Sequence, residues 1–240
     1  MEKPDLITVR NPNSAGAEAF KTLRTNIQFS SIDKSAQVIC VTSAGPAEGK
    51  STIASNLAVV MAETGKKTLL LDCDMRKPTL HKVFTSSNIL GLSDLLAGKV
   101  FLEKAIQNTG VENLNILTSG TKPPNPSQLL ASSKIKKLMS ILRTMFDFII
   151  IDTPPILLVT DSQLLAGFTD GYLLVLSSGH VDKEAAAKAQ DLLEKVNAKI
   201  LGAVLNKFET TKGGYYGYYG KSYYGATEKK QKDKNIKKVE

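Results

Sequence analysis

The 240-residue chain contains no tryptophan, only two cysteines and two histidines, and no long unbroken apolar run. Its longest apolar stretch, Phe148 to Val159, is interrupted by Asp152, Pro154 and Pro155. It falls well short of the roughly 18–20 residues that a membrane-spanning helix needs. The opening Met-Glu-Lys-Pro-Asp has none of the apolar segment of a secretory leader, so the chain is expected to stay in the cytosol. Cys40 and Cys73 lie in apolar runs and are too few for a disulfide scaffold, which makes them expected core thiols. His81 and His180 are far apart and have no cysteine neighbours, which argues against a zinc site of nitrogen and sulfur ligands. The chemistry must therefore rest on oxygen ligands and lysine.

What is present suits a folded domain: 42% of residues are hydrophobic and 22% charged, at a length that can bury a proper core. The net charge is +8, and residues 208–240 carry +4 of it through eight lysines and four acids. A basic end attracts acidic proteins, anionic lipid or nucleic acid, and charge alone does not choose among them.

Residues 1–13 are polar, include two prolines and read as a loose arm. Ser14 can cap a helix running to about Ser30, with Phe20, Leu23 and Ile27 on one face and Glu18, Lys21 and Arg24 on another. Strand-like runs follow at Val38–Thr42, Thr68–Leu71, Leu114–Leu117, Phe148–Ile151, Tyr172–Leu176 and Ile200–Leu205. They are mostly separated by helical patterns, among them Lys50–Thr64, Ser127–Met145 and Asp182–Asn197. Asn125 and Pro126 read as the cap and first residue of the Ser127–Met145 helix. Continuous apolar strands alternating with helices predict an α/β fold, a parallel sheet with helices on both faces. One domain spanning residues 14–208 is expected. From residue 209 the chain is too poor in aliphatic residues to bury itself, so a disordered tail is predicted.

Ala44-Gly45-Pro46-Ala47-Glu48-Gly49-Lys50-Ser51 matches a phosphate-binding loop with Ala for the first Gly, placed between a predicted strand and helix. Its backbone amides and the helix N-terminus would cradle phosphates, Lys50 would add charge, and the Ser51 hydroxyl would meet magnesium. Gly45, Pro46, Ala47, Glu48, Gly49, Lys50, Ser51 and Thr52 are thus the candidate ATP-binding residues. Leu69-Leu70-Leu71-Asp72-Cys73-Asp74 ends one strand with two carboxylates, and Phe148-Ile149-Ile150-Ile151-Asp152 ends another with one. Each aspartate alone could cap a following helix. All three at strand ends, beside a phosphate loop, favour magnesium and phosphoryl transfer. Arg76 and Lys77 read equally well as a pair steering an anion or as a solvated loop.

Six of the seven tyrosines, Tyr215, Tyr216, Tyr218, Tyr219, Tyr223 and Tyr224, crowd into ten residues of the basic end. They could stack on nucleic-acid bases or serve as phosphoryl acceptors. The first use calls for interleaved arginine, and this end has none. The second is consistent with a phosphoryl-transfer site in the same chain.

This combination resembles the bacterial tyrosine kinases of capsule and exopolysaccharide synthesis, of the separate-chain cytoplasmic type found in Gram-positive bacteria, over essentially the whole length. The resemblance rests on the phosphate loop, Asp72-Cys73-Asp74-Met75-Arg76-Lys77-Pro78, Thr118-Ser119-Gly120 leading into Pro123-Pro124-Asn125-Pro126, Asp152-Thr153-Pro154-Pro155, and the tyrosine cluster. It implies an ATP- and magnesium-dependent autokinase whose tyrosines are modified between subunits of a ring. Lys50 would hold phosphates, Ser51, Asp74 and Asp152 would position magnesium, and Asp72 would be the base for the tyrosine hydroxyl, with the roles of Asp72 and Asp74 exchangeable. Glu18, Lys21 and Arg24 match the family's oligomerisation pattern, with Lys21 where Arg is usual; Ala47 stands where Gly is usual. The implied partners are a membrane co-polymerase that recruits and activates the kinase at the inner membrane face, and a tyrosine phosphatase. Nucleic acid is not among them. Partition and division-site ATPases share the fold, but they carry a signature lysine five residues before the invariant one, where this chain has Gly45.

Overall fold

Most strands here are apolar nearly from end to end, and the fold buries all but the two edge strands on both faces. The computed structural model describes residues 4–30 and 36–208. The predicted tail, with all six candidate acceptor tyrosines, lies outside the described residues.

In chain order the elements are α1 (Ile7–Arg10), α2 (Ala15–Phe29), β1 (Val38–Ser43), α3 (Lys50–Ala62), β2 (Thr68–Asp72), α4 (Leu80–Val83), α5 (Leu92–Leu96), α6 (Leu102–Ala105), β3 (Ile106–Asn108) and β4 (Leu114–Leu117). There follow α7 (Pro126–Leu130), α8 (Ser133–Met145), β5 (Phe148–Asp152), α9 (Asp161–Leu164), a 3₁₀ turn (Ala166–Phe168), β6 (Gly171–Ser177), α10 (Lys183–Lys195) and β7 (Ile200–Asn206). The sheet order is β3-β4-β2-β5-β1-β6-β7. All neighbours are parallel except the edge strand β3, which runs antiparallel to β4.

Side chains alternate faces along each strand. Val38, Cys40, Leu69, Leu71, Ile149 and Ile151 meet α8 and α10 through Leu138, Leu142, Ala189 and Leu193. Ile39, Val41, Leu70 and Ile150 meet α3, together with Ile27 of α2 and Leu80 of α4. Each fully buried Leu or Ile contributes roughly 1.5–3 kcal/mol. α3 is buried from Ile53 to Ala62, which explains its lack of a polar stripe. Both cysteines are free and buried, as expected of core thiols. Among the described residues no helix is long and apolar enough to cross a membrane.

Two expectations need correction. The loose arm contains α1, which is held down: Thr8 is buried, and its N–H and hydroxyl both donate to Asn56 Oδ1, at 3.2 and 2.9 Å. The single helix predicted over 127–145 is two, α7 opened by Asn125 and Pro126, and α8. The break falls at Ser132, whose extended backbone starts α8 and whose hydroxyl donates to Leu129 O at 2.7 Å, a local bond that competes with helix continuation. β3, three residues with no apolar run to announce it, was not anticipated from the sequence. Ser14 caps α2 as read, accepting from Ala17 N at 3.2 Å.

The end opposite the phosphate loop is fastened by Asp170. Its carboxylate accepts from Gln37 N, Val38 N and the Arg143 fork at 2.8–3.0 Å, joining the starts of β1 and β6 to the end of α8. Partial burial favours the neutral acid, but the Arg143 bonds and the backbone amides outweigh it and hold the carboxyl below its usual range. The stabilisation is then complete above the unfolded value near 4 and lost as pH falls through the folded one. Asp170→Asn is expected to cost about 1–2 kcal/mol in urea unfolding at pH 7, with the gap to the parent closing as pH falls below about 4. A gap independent of pH would remove the charge from this explanation.

Candidate active site

β1 ends at Ser43, the loop 44–49 follows, and α3 starts at Lys50. Two loop residues have left-handed backbones, Ala47 at φ 60° and Gly49 at φ 93°. A Cβ on Gly49 would stand 2.0 Å from Asn206 Nδ2 and would strain the left-handed backbone, so glycine suits this position. Ala47 accepts a conformation suited to glycine at a cost of about 1 kcal/mol. The loop is tied from behind. The Glu48 carboxylate, 6% exposed, accepts from Gly45 N in a short bond and from Ser177 N at 3.1 Å. Asn206 Nδ2 donates to Glu48 O at 2.8 Å, and Lys207 Nζ to Ala47 O at 2.7 Å. Pro46, Ala47 and Thr52 are exposed at the loop crest and first helical turn, while Gly45, Lys50 and Ser51 are half-buried.

The expected carboxylates do converge. β2, β5 and β1 are neighbours, and Asp72 and Asp152 sit in register at their ends. Lys50 Nζ donates to Asp74 Oδ2 at 3.0 Å and to Ser51 Oγ at 3.3 Å, and it stands 3.7 Å from Asp152 Oδ1. Asp152 is fully buried, and neither of its oxygens has a hydrogen-bond partner among the described residues. Burial pushes its carboxyl up to about 6, against the pull of the Lys50 ammonium. Asp72 is also fully buried and shapes the following loop, accepting from Asp74 N at 3.0 Å and Leu80 N at 3.4 Å. Burial, with the charges of Asp152 and Asp74, lifts its carboxyl well above the ordinary range. Lys50 feels the opposite balance: burial disfavours its charge, yet Asp152 and Asp74 outweigh that and raise its proton affinity.

Orphaned, buried carboxylate oxygens beside a serine hydroxyl are hard oxygen donors that fit magnesium. No three His, Cys, Asp or Glu side chains form a metal cage among the described residues. A magnesium ion that shares its ligands with nucleotide phosphates needs only one or two carboxylates.

Arg76 turns out neither to steer nor to solvate. Its guanidinium forks onto the buried Asp161 at 2.9 and 3.0 Å and donates to Ser127 Oγ at 2.8 Å, clamping the loop after β2 to α7 and α9. Asp161, the inward side chain of Glu48, and Asn206 with Lys207 were not anticipated from the sequence. A polar pair directly after an apolar strand was the one available signal for Asn206 and Lys207. Of the proposed oligomerisation residues, Lys21 bonds Glu18 Oε1 at 2.7 Å and Pro12 O at 3.0 Å, and Arg24 bonds Val60 O at 2.7 Å, all within the chain.

A loop of this shape between β1 and α3, at the carboxyl end of a parallel sheet, defines a phosphate-loop nucleotide-binding domain, and residues 36–203 match the AAA domain family. Tyrosine-protein kinase YwqD of Bacillus subtilis is 46% identical over 216 residues, covering 90% of this chain and 91% of YwqD. The crystal structure of the chimerical protein CapA2B2 superimposes with a TM-score of 0.83 at 44% identity, over 85% of this chain and 90% of that one. The septum site-determining protein MinD of Pyrococcus horikoshii, complexed with Mg-ADP, gives 0.62 at 26% identity, over 78% and 76%. The chain belongs to the bacterial tyrosine-protein kinases.

Because a Cβ on Gly49 would meet Asn206 Nδ2 and strain the backbone, Gly49→Ala should displace Asn206 and distort the loop. Affinity for a fluorescent ADP analogue is expected to fall at least about tenfold with the circular dichroism spectrum retained. Unaltered affinity would mean that the loop closes without this contact.

Proposed function

We propose that the chain is an ATP- and magnesium-dependent tyrosine autokinase that phosphorylates Tyr215, Tyr216, Tyr218, Tyr219, Tyr223 and Tyr224 between subunits and so regulates capsule or exopolysaccharide synthesis. The observation that carries this reading is the buried Lys50–Asp74–Asp152 corner at the mouth of a phosphate loop, in a chain similar to named tyrosine-protein kinases along 90% of its length.

The residues divide the work as follows. Amides of Ala47 to Ser51, at the end of the loop and the start of α3, would receive the phosphates. Lys50, held on Asp74 at 3.0 Å, would swing to a phosphate oxygen. Ser51, Asp74 and Asp152 are the oxygen donors around it that would hold magnesium, which when bound neutralises charge on the transferred group. A tyrosine hydroxyl, ordinarily with a pKa near 10, needs a carboxylate to accept its proton at neutral pH. Asp72 is fully buried beneath the loop it shapes, and Asp74, also buried, is bonded to Lys50. The resemblance gives this role to Asp72, exchangeable with Asp74.

Assembly into a ring through Glu18, Lys21 and Arg24 would require their bonds within the chain to be exchanged for bonds to a neighbour. Recruitment to the inner membrane face falls to a membrane co-polymerase whose cytosolic end activates the site, and a tyrosine phosphatase resets the cluster. A second reading, a switch ATPase without kinase activity, draws on the likeness to MinD. Gly45 in place of the signature lysine weighs against it.

Intact mass after incubation with ATP and magnesium, with and without the activator's cytosolic peptide, separates the two. Additions of about 80 Da each, confined to residues 215–224 and absent from Lys50→Met, are the kinase result. ADP release with no mass change would establish the ATPase instead.

A further inference from the structure

The phosphate loop is fixed from the β6 and β7 side as well as from the acidic corner, and one of those bonds compensates for a feature peculiar to this loop. We propose that Lys207 is a positioning residue of the nucleotide site: its ammonium holds the carbonyl of Ala47 and keeps an alanine in the left-handed conformation that the loop requires. The proposal rests on the nucleotide-binding reading above.

Ala47 has φ 60° and Lys207 has φ 57°, so two non-glycine residues in the same disfavoured region meet through one hydrogen bond of 2.7 Å. Such conformations persist where surrounding contacts over-determine them. The flanking loop peptides have their own restraints. Gly45 N and Ser177 N bind the buried Glu48 carboxylate, and Glu48 O takes Asn206 Nδ2. The Ala47 carbonyl has Lys207. With that ammonium removed, Ala47 can relax toward negative φ, which reorients the peptides on either side of it. Those peptides supply the amides of Ala47 and Glu48, two of the donors that face phosphate in a loop of this kind. With glycine at position 47 the left-handed backbone would need no such support. The role of Lys207 therefore depends on the identity of residue 47, and this separates a brace from a simple positive charge near the site.

The test is a double-mutant cycle on the full chain, read by affinity for a fluorescent ADP analogue, by the steady-state constants for ATP, and by hydrogen exchange of residues 45–49 without nucleotide. Lys207→Met is expected to weaken ADP binding about tenfold, with the loss falling on KM for ATP rather than on kcat. Exchange at 47–49 should speed up. Lys207→Arg, which retains a donor, should stay within about threefold of the parent. In the Ala47→Gly background, Lys207→Met should cost no more than about twofold. An equal loss in both backgrounds would show that Lys207 acts as a charge, and no loss in either would remove it from the site; both overturn the proposal. If the parent chain binds no ADP, the nucleotide reading fails, and exchange at 47–49 still decides whether Lys207 holds the loop.

Discussion

Carboxylates brought together without water repel one another, and at the end of β2 and β5 this chain gathers three of them around a single ammonium. Asp72 and Asp152 are fully buried and in register, Asp74 is nearly so, and Lys50 touches one and approaches another. Burying a charge is expensive unless it is paired and hydrogen-bonded, and here the pairing is incomplete: neither Asp152 oxygen has a hydrogen bond, and Lys50 stands 3.7 Å away. The corner is therefore better matched to a cation and an anion together, such as magnesium with nucleotide phosphates, than to the protein alone.

That corner dictates much else. Its side chains come from adjacent parallel strands, so their convergence needs β2, β5 and β1 side by side, with helices covering both faces. The loop from β1 to α3 must stay open toward phosphate while its back is satisfied, which Glu48 achieves through Ser177 N at the end of β6, and Asn206 and Lys207 from the end of β7. On the other side, Arg76 clamps the loop carrying Asp74 onto Asp161 and Ser127. Both clamps use side chains from distant parts of the chain, so the site is a product of the whole fold.

The parallel sheet and the acidic strand ends were legible because doubly buried strands are apolar almost without interruption, and a carboxylate that ends such a run stands out. Six of the seven strands among the described residues were readable this way; β3 was not, because three half-exposed residues carry no pattern. The split between α7 and α8 was hidden since serine is compatible with a helix until its hydroxyl finds a nearby carbonyl. α1 was hidden since what holds it is Asn56, nearly fifty residues away. The loop was recognisable by spacing, but the inward turn of Glu48 was not: a glutamate between Ala and Gly reads as solvated, and only β6 behind it supplies Ser177 N. Arg76 illustrates the same limit, its exposure or pairing being decided by Asp161 at a distance of 85 positions.

The central claim is that the buried Lys50 and its carboxylates form a nucleotide and magnesium site awaiting its ligands. The most direct measurement is a crystal structure of the protein grown with magnesium and a non-hydrolysable ATP analogue. Lys50 Nζ should then lie on a phosphate oxygen, out of hydrogen-bond reach of Asp74, with the Asp152 oxygens engaged by the ion or by its water. A nucleotide bound with Lys50 still on Asp74 and the Asp152 oxygens still unpartnered would contradict that claim.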